Sequence, residues 1–173
     1  MTENMEKHIA TQLLSAVEYC HSKKILHLDI KPENILVTGV DGEKITVQLA
    51  DFGLSTSSKH PLNRTCGTTI YMAPEVIESK YYEQSIDIWC LGATIYNLLT
   101  KSLPKYGSTK DLCFDDLTME ARDFIMKMLQ IDPTKRSSAS ELLKHSWLTS
   151  EWLSESAVDE YFTNKANRCK QEA

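Results

Sequence analysis

The feature that most constrains the fold of this chain is an apolar run of 14 residues from Ile86 to Leu99. The run contains a single charged residue, Asp87. A helix that crosses a bilayer needs about 20 predominantly apolar residues, so this run is too short and is also charged. It predicts a helix buried in a protein core rather than a membrane span.

The composition is typical of one globular domain and argues against several partners. Of the 173 residues, 42% are hydrophobic and 25% are charged, which is ordinary for a soluble domain. The net charge of −5 argues against nucleic acid and membrane surfaces as partners, because both require a basic face. The five cysteines form no C-x-x-C pair, and the first 30 residues show no signal-peptide pattern. We therefore expect reduced thiols and an intracellular location, in the cytoplasm or nucleus.

The hydrophobic periodicity predicts a mainly α protein with one small β-hairpin. Residues 3–20 have the spacing of an amphipathic helix, and two strand-like runs, 35–37 and 45–49, flank a turn at Asp41 and Gly42. Further helices are predicted over residues 75–79, 85–100, 118–130 and 138–147. The helical body covers residues 1–148, and the tail 149–173 carries at most one weak helix.

Three short motifs lie in a fixed order along the chain. The loop before the hairpin reads HLDIKPEN at residues 27–34, the second strand leads into DFG at 51–53, and APE follows at 73–75. Each motif alone occurs by chance, but the ordered set resembles the large C-terminal lobe of eukaryotic protein serine/threonine kinases. The resemblance is strongest to the calcium/calmodulin-dependent group, including its death-associated and myosin light-chain members.

The resemblance implies ATP and Mg²⁺ as cofactors and Ser/Thr residues of proteins as substrates. Phosphoryl transfer depends mainly on positioning and charge neutralisation. By resemblance, Asp29 would orient the substrate hydroxyl and accept its proton, and Lys31 would offset the charge of the γ-phosphoryl group. Asn34 and Asp51 would hold Mg²⁺ through hard oxygen ligands.

Two further positions concern the nucleotide and the substrate. The main-chain carbonyl of Glu33 would face the ribose, and its side chain would favour a basic residue near the phosphorylated Ser or Thr. Leu36 would form the floor under the adenine ring, although it is equally compatible with a strand residue of the core.

A second set of residues would support the site without reacting. By resemblance, Asp87 would accept backbone N–H groups of the 27–34 loop, and Glu75 would pair with Arg136. Thr68 would hydrogen-bond to both Asp29 and Lys31.

The sequence departs from the family pattern where half of the nucleotide cleft would be encoded. The 26 residues before His27 supply neither a glycine-rich lid nor an A-x-K strand, so we expect the N-terminal lobe to be absent. Weak ATP binding and negligible turnover by the chain alone would follow. The exposed face would then bind an N-lobe donor or a second copy of the chain.

Two non-kinase hypotheses remain open at this point. One is a non-catalytic kinase-like interaction module that uses the helical body to bind partners. The other is a hydrolase that uses His27 and Asp29 as metal ligands, although no further His or acid falls at ligand spacing.

Two more departures concern regulation and substrate docking. Leu28 stands where most regulated kinases have an arginine that binds a phosphorylated activation loop, and Thr65 is displaced by one residue from the usual acceptor position. We therefore expect activity that is independent of activation-loop phosphorylation. The stretch 104–117 is shorter than the corresponding family segment, whose helix helps to dock substrates.

Overall fold

The computed structural model describes residues 3–42, 44–58, 62–63, 65–105, 108–115 and 117–150. The chain forms six α-helices within these residues: α1 (Glu3–Ser22), α2 (Pro74–Ile77), α3 (Ser85–Thr100), α4 (Met119–Met128), α5 (Ala139–Leu142) and α6 (Ser146–Thr149). It also forms four strands: β1 (Ile25–Leu26), β2 (Ile35–Asp41), β3 (Lys44–Leu49) and β4 (Thr56–Ser57). Short 3₁₀ turns lie at Pro32–Asn34, Thr69–Tyr71 and Pro133–Lys135.

The central element is α3, as the apolar run predicts. Every residue of α3 from Ile86 to Tyr96 is buried, including the charged Asp87. The helix lies between α1 and α4, and Gln84 ties its start to α1 by donating a hydrogen bond to the carbonyl of His21 (2.7 Å). The buried core therefore surrounds α3. No helix among the described residues has the length and apolar character needed to cross a membrane.

The predicted hairpin is present as β2 and β3, which pair antiparallel with a bulge between Val37 and Gly39. The inner side of β3 packs on α1 through Val47 and its partly buried neighbours Ile45 and Leu49. The mainly helical class and the small hairpin are confirmed, but the sequence did not predict a second antiparallel pair, which β1 forms with β4. Strands of two residues carry no alternation that a sequence pattern could reveal.

The helix predicted over residues 138–147 is also wrong as one element, because it consists of two short helices, α5 and α6. The capping box predicted from Ser138 and Glu141 is present at the start of α5. His145 then ends that segment by accepting the N–H of Trp147 on Nδ1, which caps α6 (3.1 Å). The predicted helix is therefore interrupted at His145, which is the N-cap of α6.

The remaining sequence predictions fall partly outside the described residues. Cys20, Cys66, Cys90 and Cys113 are free thiols, as expected, and Cys169 lies outside the described ranges. The described parts of the segment 101–117 contain no helix. Of the predicted tail 149–173, only Thr149 and Ser150 are described.

Candidate active site

The loop of residues 27–34 is held from below by Asp87, in the first turn of α3. Asp87 is fully buried, and its two carboxylate oxygens accept the backbone N–H groups of His27 and Leu28, both at 2.9 Å. The prediction for Asp87 is confirmed. The Nε2 of His21 also hydrogen-bonds to this carboxylate (3.0 Å), a contact across 66 residues that no sequence pattern indicated. Three donors therefore compensate the burial of this charge.

Two residues bring the loop and the segment after DFG into close contact. Leu28 has a φ of 71° although its side chain is buried, which is unusual for a leucine. Gly67 also has a positive φ (95°), and a Cβ at this position would lie 2.5 Å from the carbonyl oxygen of Leu28. Only glycine fits this approach, which places the neighbouring Thr68 beside Asp29.

Asp29 is the centre of the polar cluster. Its Oδ1 accepts both the backbone N–H (3.0 Å) and the hydroxyl (2.9 Å) of Thr68. Its Oδ2 lies 2.8 Å from the Nζ of Lys31 and 3.1 Å from the Nδ2 of Asn34. Burial raises the pKa of the Asp29 carboxyl, but the hydrogen bonds from Lys31 and Thr68 outweigh it, and the pKa is lowered overall. Asp29 is therefore an ionised acceptor at neutral pH.

Lys31 bridges the same two residues. Its Nζ donates to the Oγ1 of Thr68 (2.7 Å) in addition to its contact with Asp29, so the contacts predicted for Thr68 are confirmed. The hydrogen bond with Asp29 raises the pKa of Lys31 most, and the negative charges of Glu33 and Asp51 add to this effect. The cluster thus keeps a cation beside an ionised carboxylate.

Asn34 and Asp51 are brought together through the backbone. Asn34 is buried, and its Nδ2 donates to the carbonyl (2.8 Å) and to the side chain of Asp29. Its backbone carbonyl accepts the N–H of Ala50 (2.8 Å), the residue before Asp51. The Asp51 side chain is exposed, and its Oδ1 accepts the N–H of Gly53 (3.1 Å).

The donor set of these two residues suits a hard cation. Both side-chain bonds of Asn34 use its nitrogen, so its amide oxygen remains available within the described part of the chain. The exposed carboxylate of Asp51 offers further oxygen atoms. Carboxylate and amide oxygens are ligands that Mg²⁺ accepts. These residues therefore fit the magnesium role expected of them.

The hypothesis of a hydrolase with His27 and Asp29 as metal ligands is contradicted. The His27 side chain is buried, with Nε2 bonded to the carbonyl of Ala50 (3.0 Å) and Nδ1 accepting the N–H of Asp29 (3.3 Å). The ring of Phe52 contacts it edge-on at 4.7 Å. Both ring nitrogens are occupied, and the described residues contain no group of three His, Cys, Asp or Glu suited to a metal ion.

Glu33 and Leu36 lie at the exposed margin of the cluster. Glu33 is exposed in the turn Pro32–Asn34. Burial raises the pKa of Tyr71, and the charge of Glu33 raises it further, which indicates that the two residues are neighbours. Leu36 is 51% exposed on β2, which contradicts the alternative prediction that it is a core residue.

The predicted pair of Glu75 and Arg136 is confirmed. The guanidinium donates two parallel hydrogen bonds to the carboxylate, at 2.5 and 2.6 Å. Arg136 also donates to the carbonyls of Gln130 (2.8 Å) and Ser85 (3.0 Å), and it lies over the ring of Trp89 at 5.0 Å. Both charges are buried and are compensated by several hydrogen bonds, as a stable internal pair requires.

Comparisons with known proteins agree with this geometry. The family model described as the protein kinase domain matches residues 1–148. A probable myosin light chain kinase of Dictyostelium discoideum is 39% identical over 158 residues, which cover 82% of this chain and 40% of that protein. The human calcium/calmodulin-dependent protein kinase type 1B is 37% identical over 167 residues, which cover 87% of this chain and 48% of that protein.

A plant relative extends the set. The SNF1-related protein kinase catalytic subunit alpha of Arabidopsis thaliana is 37% identical over 160 residues, 85% of this chain and 32% of that protein. The chain thus spans between a third and a half of the length of these curated relatives. The resemblance predicted from the motifs is confirmed, and the chain belongs to the protein kinase family.

Proposed function

We propose that this chain is the large C-terminal lobe of a protein serine/threonine kinase, and that its Asp29 site transfers the γ-phosphoryl group of ATP to Ser or Thr of protein substrates. The observation that carries the proposal is the carboxylate of Asp29, which is shared by Lys31, Thr68 and Asn34. Asp51 is tied to the same loop through Ala50. Protein kinases generally use ATP and Mg²⁺, and the available oxygens of Asn34 and Asp51 support their use here.

Each residue of the cluster has a distinct part in the proposed reaction. Asp29 is ionised, so it orients the substrate hydroxyl and accepts its proton. Lys31 carries the positive charge that offsets the charge of the transferring group, and Thr68 fixes both side chains. Asn34 and Asp51 would hold Mg²⁺, which supplies charge neutralisation on the phosphate oxygens when bound.

The expected preference for basic substrates follows from Glu33, at the exposed edge of the Asp29 cluster. Glu33 presents an exposed carboxylate close to the cluster, which would favour a basic residue near the phosphorylated Ser or Thr. The preference for Ser/Thr agrees with Lys31 and with further relatives that are named serine/threonine-protein kinases, from yeast and mouse.

The nucleotide side of the site is exposed among the residues that the structure describes. Leu36 is exposed where it would form the floor under the adenine ring. The sequence contains no G-x-G lid and no A-x-K strand. The chain alone would therefore bind ATP weakly and turn over negligibly, and an N-terminal lobe would complete the cleft.

The test is phosphate transfer from ATP–Mg²⁺ to a basic serine peptide, with the chain alone and with the N-terminal lobe of a calmodulin-dependent relative fused in front of it. We expect transfer by the fusion only, and a loss of about 10²- to 10⁴-fold in the Asp29→Asn fusion, since a general base contributes that much. The matched control is Asp41→Asn, because Asn-Gly keeps the hairpin turn. A folded fusion that binds ATP–Mg²⁺ without transfer would contradict the proposal, and absent nucleotide binding would favour the interaction module.

A further inference from the structure

We propose that Gln12 of α1 is a positioning residue that sets the place of β3 along the helix, and through β3 the place of Asp51 against Asn34. The inference rests on the proposed function for the role of Asp51. The effect of Gln12 on β3 can be tested without any ligand.

The side chain of Gln12 bonds directly to the backbone of β3. Its Nε2 donates to the carbonyl of Ile45 (2.7 Å), and its Oε1 accepts the N–H of Val47 (3.0 Å). These two backbone groups flank Thr46, so they point to the same edge of the strand. A side-chain amide carries an N–H donor and a carbonyl acceptor, as a peptide group does. Gln12 therefore takes the part of a third strand at the edge of the hairpin.

The side-chain amide of Gln12 fixes the position of β3 along α1, which the apolar contacts leave free. Val47 and its neighbours Ile45 and Leu49 pack on α1. Such contacts are non-directional, so a strand can shift along the helix and keep most of its buried area. The two hydrogen bonds of Gln12 are directional. They hold one position of β3 along α1.

The position of β3 is passed on to the site by a continuous backbone. β3 ends at Leu49, and the next residue, Ala50, donates its N–H to the carbonyl of Asn34 (2.8 Å). The carbonyl of Ala50 bonds to the ring of His27 (3.0 Å). A displaced β3 would break these contacts, and Asp51 follows directly after them.

The chain offers a matched control in Gln130. The Nε2 of Gln130 donates to the carbonyl four residues earlier, that of Met126 (2.7 Å). Gln12 makes the same local bond, to His8 (3.0 Å), but adds the two bonds to β3. Gln→Met at either position removes the local bond, and at position 12, inside α1, it keeps a good helix former. Only the change at position 12 removes the strand contacts.

The experiment compares Gln12→Met and Gln130→Met in the full 173-residue chain by ¹⁵N NMR. We expect Gln12→Met to speed hydrogen exchange of the Val47 amide at least about tenfold, and to weaken Mg²⁺ binding, followed at the Gly53 amide, by about tenfold. Gln130→Met should leave both unchanged. The inference is overturned if Val47 exchange and the Gly53 resonance stay at their wild-type values in Gln12→Met, or if Gln130→Met changes them equally.

A second variant separates positioning from simple loss of packing. The protonated side chain of Gln12→Glu has the shape of glutamine and can donate to Ile45, whereas its carboxylate cannot. Relative to wild type at the same pH, Val47 protection should therefore recover as the pH falls from about 6 to about 4, through the ordinary glutamate pKa of about 4.3. A defect that stays constant over this pH range would overturn the inference. Wild-type protein that shows no Mg²⁺ response would overturn the proposed function, and the exchange data would still decide the coupling.

Discussion

At the scale of single residues, the loop around Asp29 is held in place by buried groups. The strained φ of Leu28 (71°) persists because Asp87 binds its N–H and its side chain is enclosed in the core. A residue in a sparsely populated backbone region destabilises the fold by about 1–3 kcal/mol, so it persists only where surrounding contacts hold it in place. Leu28, at the position where the family resemblance would place a phosphate-binding arginine, is therefore an apolar anchor.

The described parts of the segment after DFG are held by contacts with the rest of the chain. Thr68 bonds to Asp29, β4 pairs with β1, and Leu62 forms a bridge with Tyr82. Thr65 lies between these anchors and is exposed. These contacts support the expectation of phosphorylation-independent activity.

We predict that Thr65→Ala in the fused protein changes the rate of peptide phosphorylation by less than about twofold. Thr68→Ala is the contrasting variant, because it removes hydrogen bonds to Asp29 and Lys31 and should lower the rate at least about tenfold. Both rates are measured with ATP–Mg²⁺ and the basic serine peptide. A tenfold loss in Thr65→Ala would show that phosphorylation at this position is required.

At the scale of elements, short helices depend on a few long-range contacts. Helix α2 has four residues, far fewer than the 12 to 15 or so that an isolated helix needs for even marginal stability. Its Glu75 is bound by Arg136, which follows the turn Pro133–Lys135 and also bonds to the carbonyl of Ser85 at the start of α3. The pair joins three elements at one buried point.

We predict that Arg136→Met lowers the free energy of unfolding by about 3–5 kcal/mol, because it leaves the buried carboxylate of Glu75 unpaired. The double variant with Glu75→Met should regain part of that loss. Lys127→Met is the control, since it breaks an exposed pair with Asp123 and should change stability by less than about 1 kcal/mol. Urea unfolding measures all three, and a loss below about 1 kcal/mol in Arg136→Met would contradict the prediction.

The sequence predicted elements whose signals are local. The bounds of α3 agree with the prediction, and the capping box of α5 was visible from Ser138 and Glu141. The β1–β4 pair joins residues about 30 positions apart and has no local pattern. The break before α6 depends on the side chain of His145 acting as a cap, which competes with continued helix periodicity.

In the candidate site, too, residues with a local sequence signal were predicted and residues without one were missed. The family resemblance that the ordered motifs carry implied the cluster of Asp29, Lys31, Asn34 and Thr68. The contributions of His21 and Gln12 were missed, because both act on partners more than 30 residues away. Helical spacing gives only the face of a helix and says nothing about which backbone groups that face meets.

At the scale of the whole molecule, most of strand β2 of the hairpin is exposed in the described part of the chain. Adjacent residues of a strand point to opposite faces, and yet Leu36 and Val37 on β2 are 51% and 62% exposed. Val40, further along β2, is exposed as well. Ile35 at the start of β2 packs against the core, but among the described residues the rest of β2 exposes apolar side chains on both faces, unlike β3, whose inner face packs on α1. Exposed apolar surface of this kind marks an interaction site or promotes association.

We predict that the 173-residue chain self-associates through β2 and that an N-terminal lobe prevents this. Sedimentation velocity should show dimers or larger species for the chain alone and a monomer for the fusion. Val37→Lys should shift the chain toward monomer, because a charged side chain on an edge strand opposes pairing with another chain. Its melting temperature should stay within a few degrees, since Val37 is mostly exposed and a surface change typically costs no more than about 0.5 kcal/mol.

Met119→Lys separates a specific surface from general hydrophobicity. Met119 is 85% exposed at the start of α4, away from the strands, and lies in a helix that contacts α3 and α6. If association arises from exposed apolar side chains in general, both substitutions should reduce it. If β2 is the surface that another lobe covers, only Val37→Lys should do so. A monomeric wild-type chain would mean that β2 tolerates water on both faces, and its exposure would then give no support to a missing lobe.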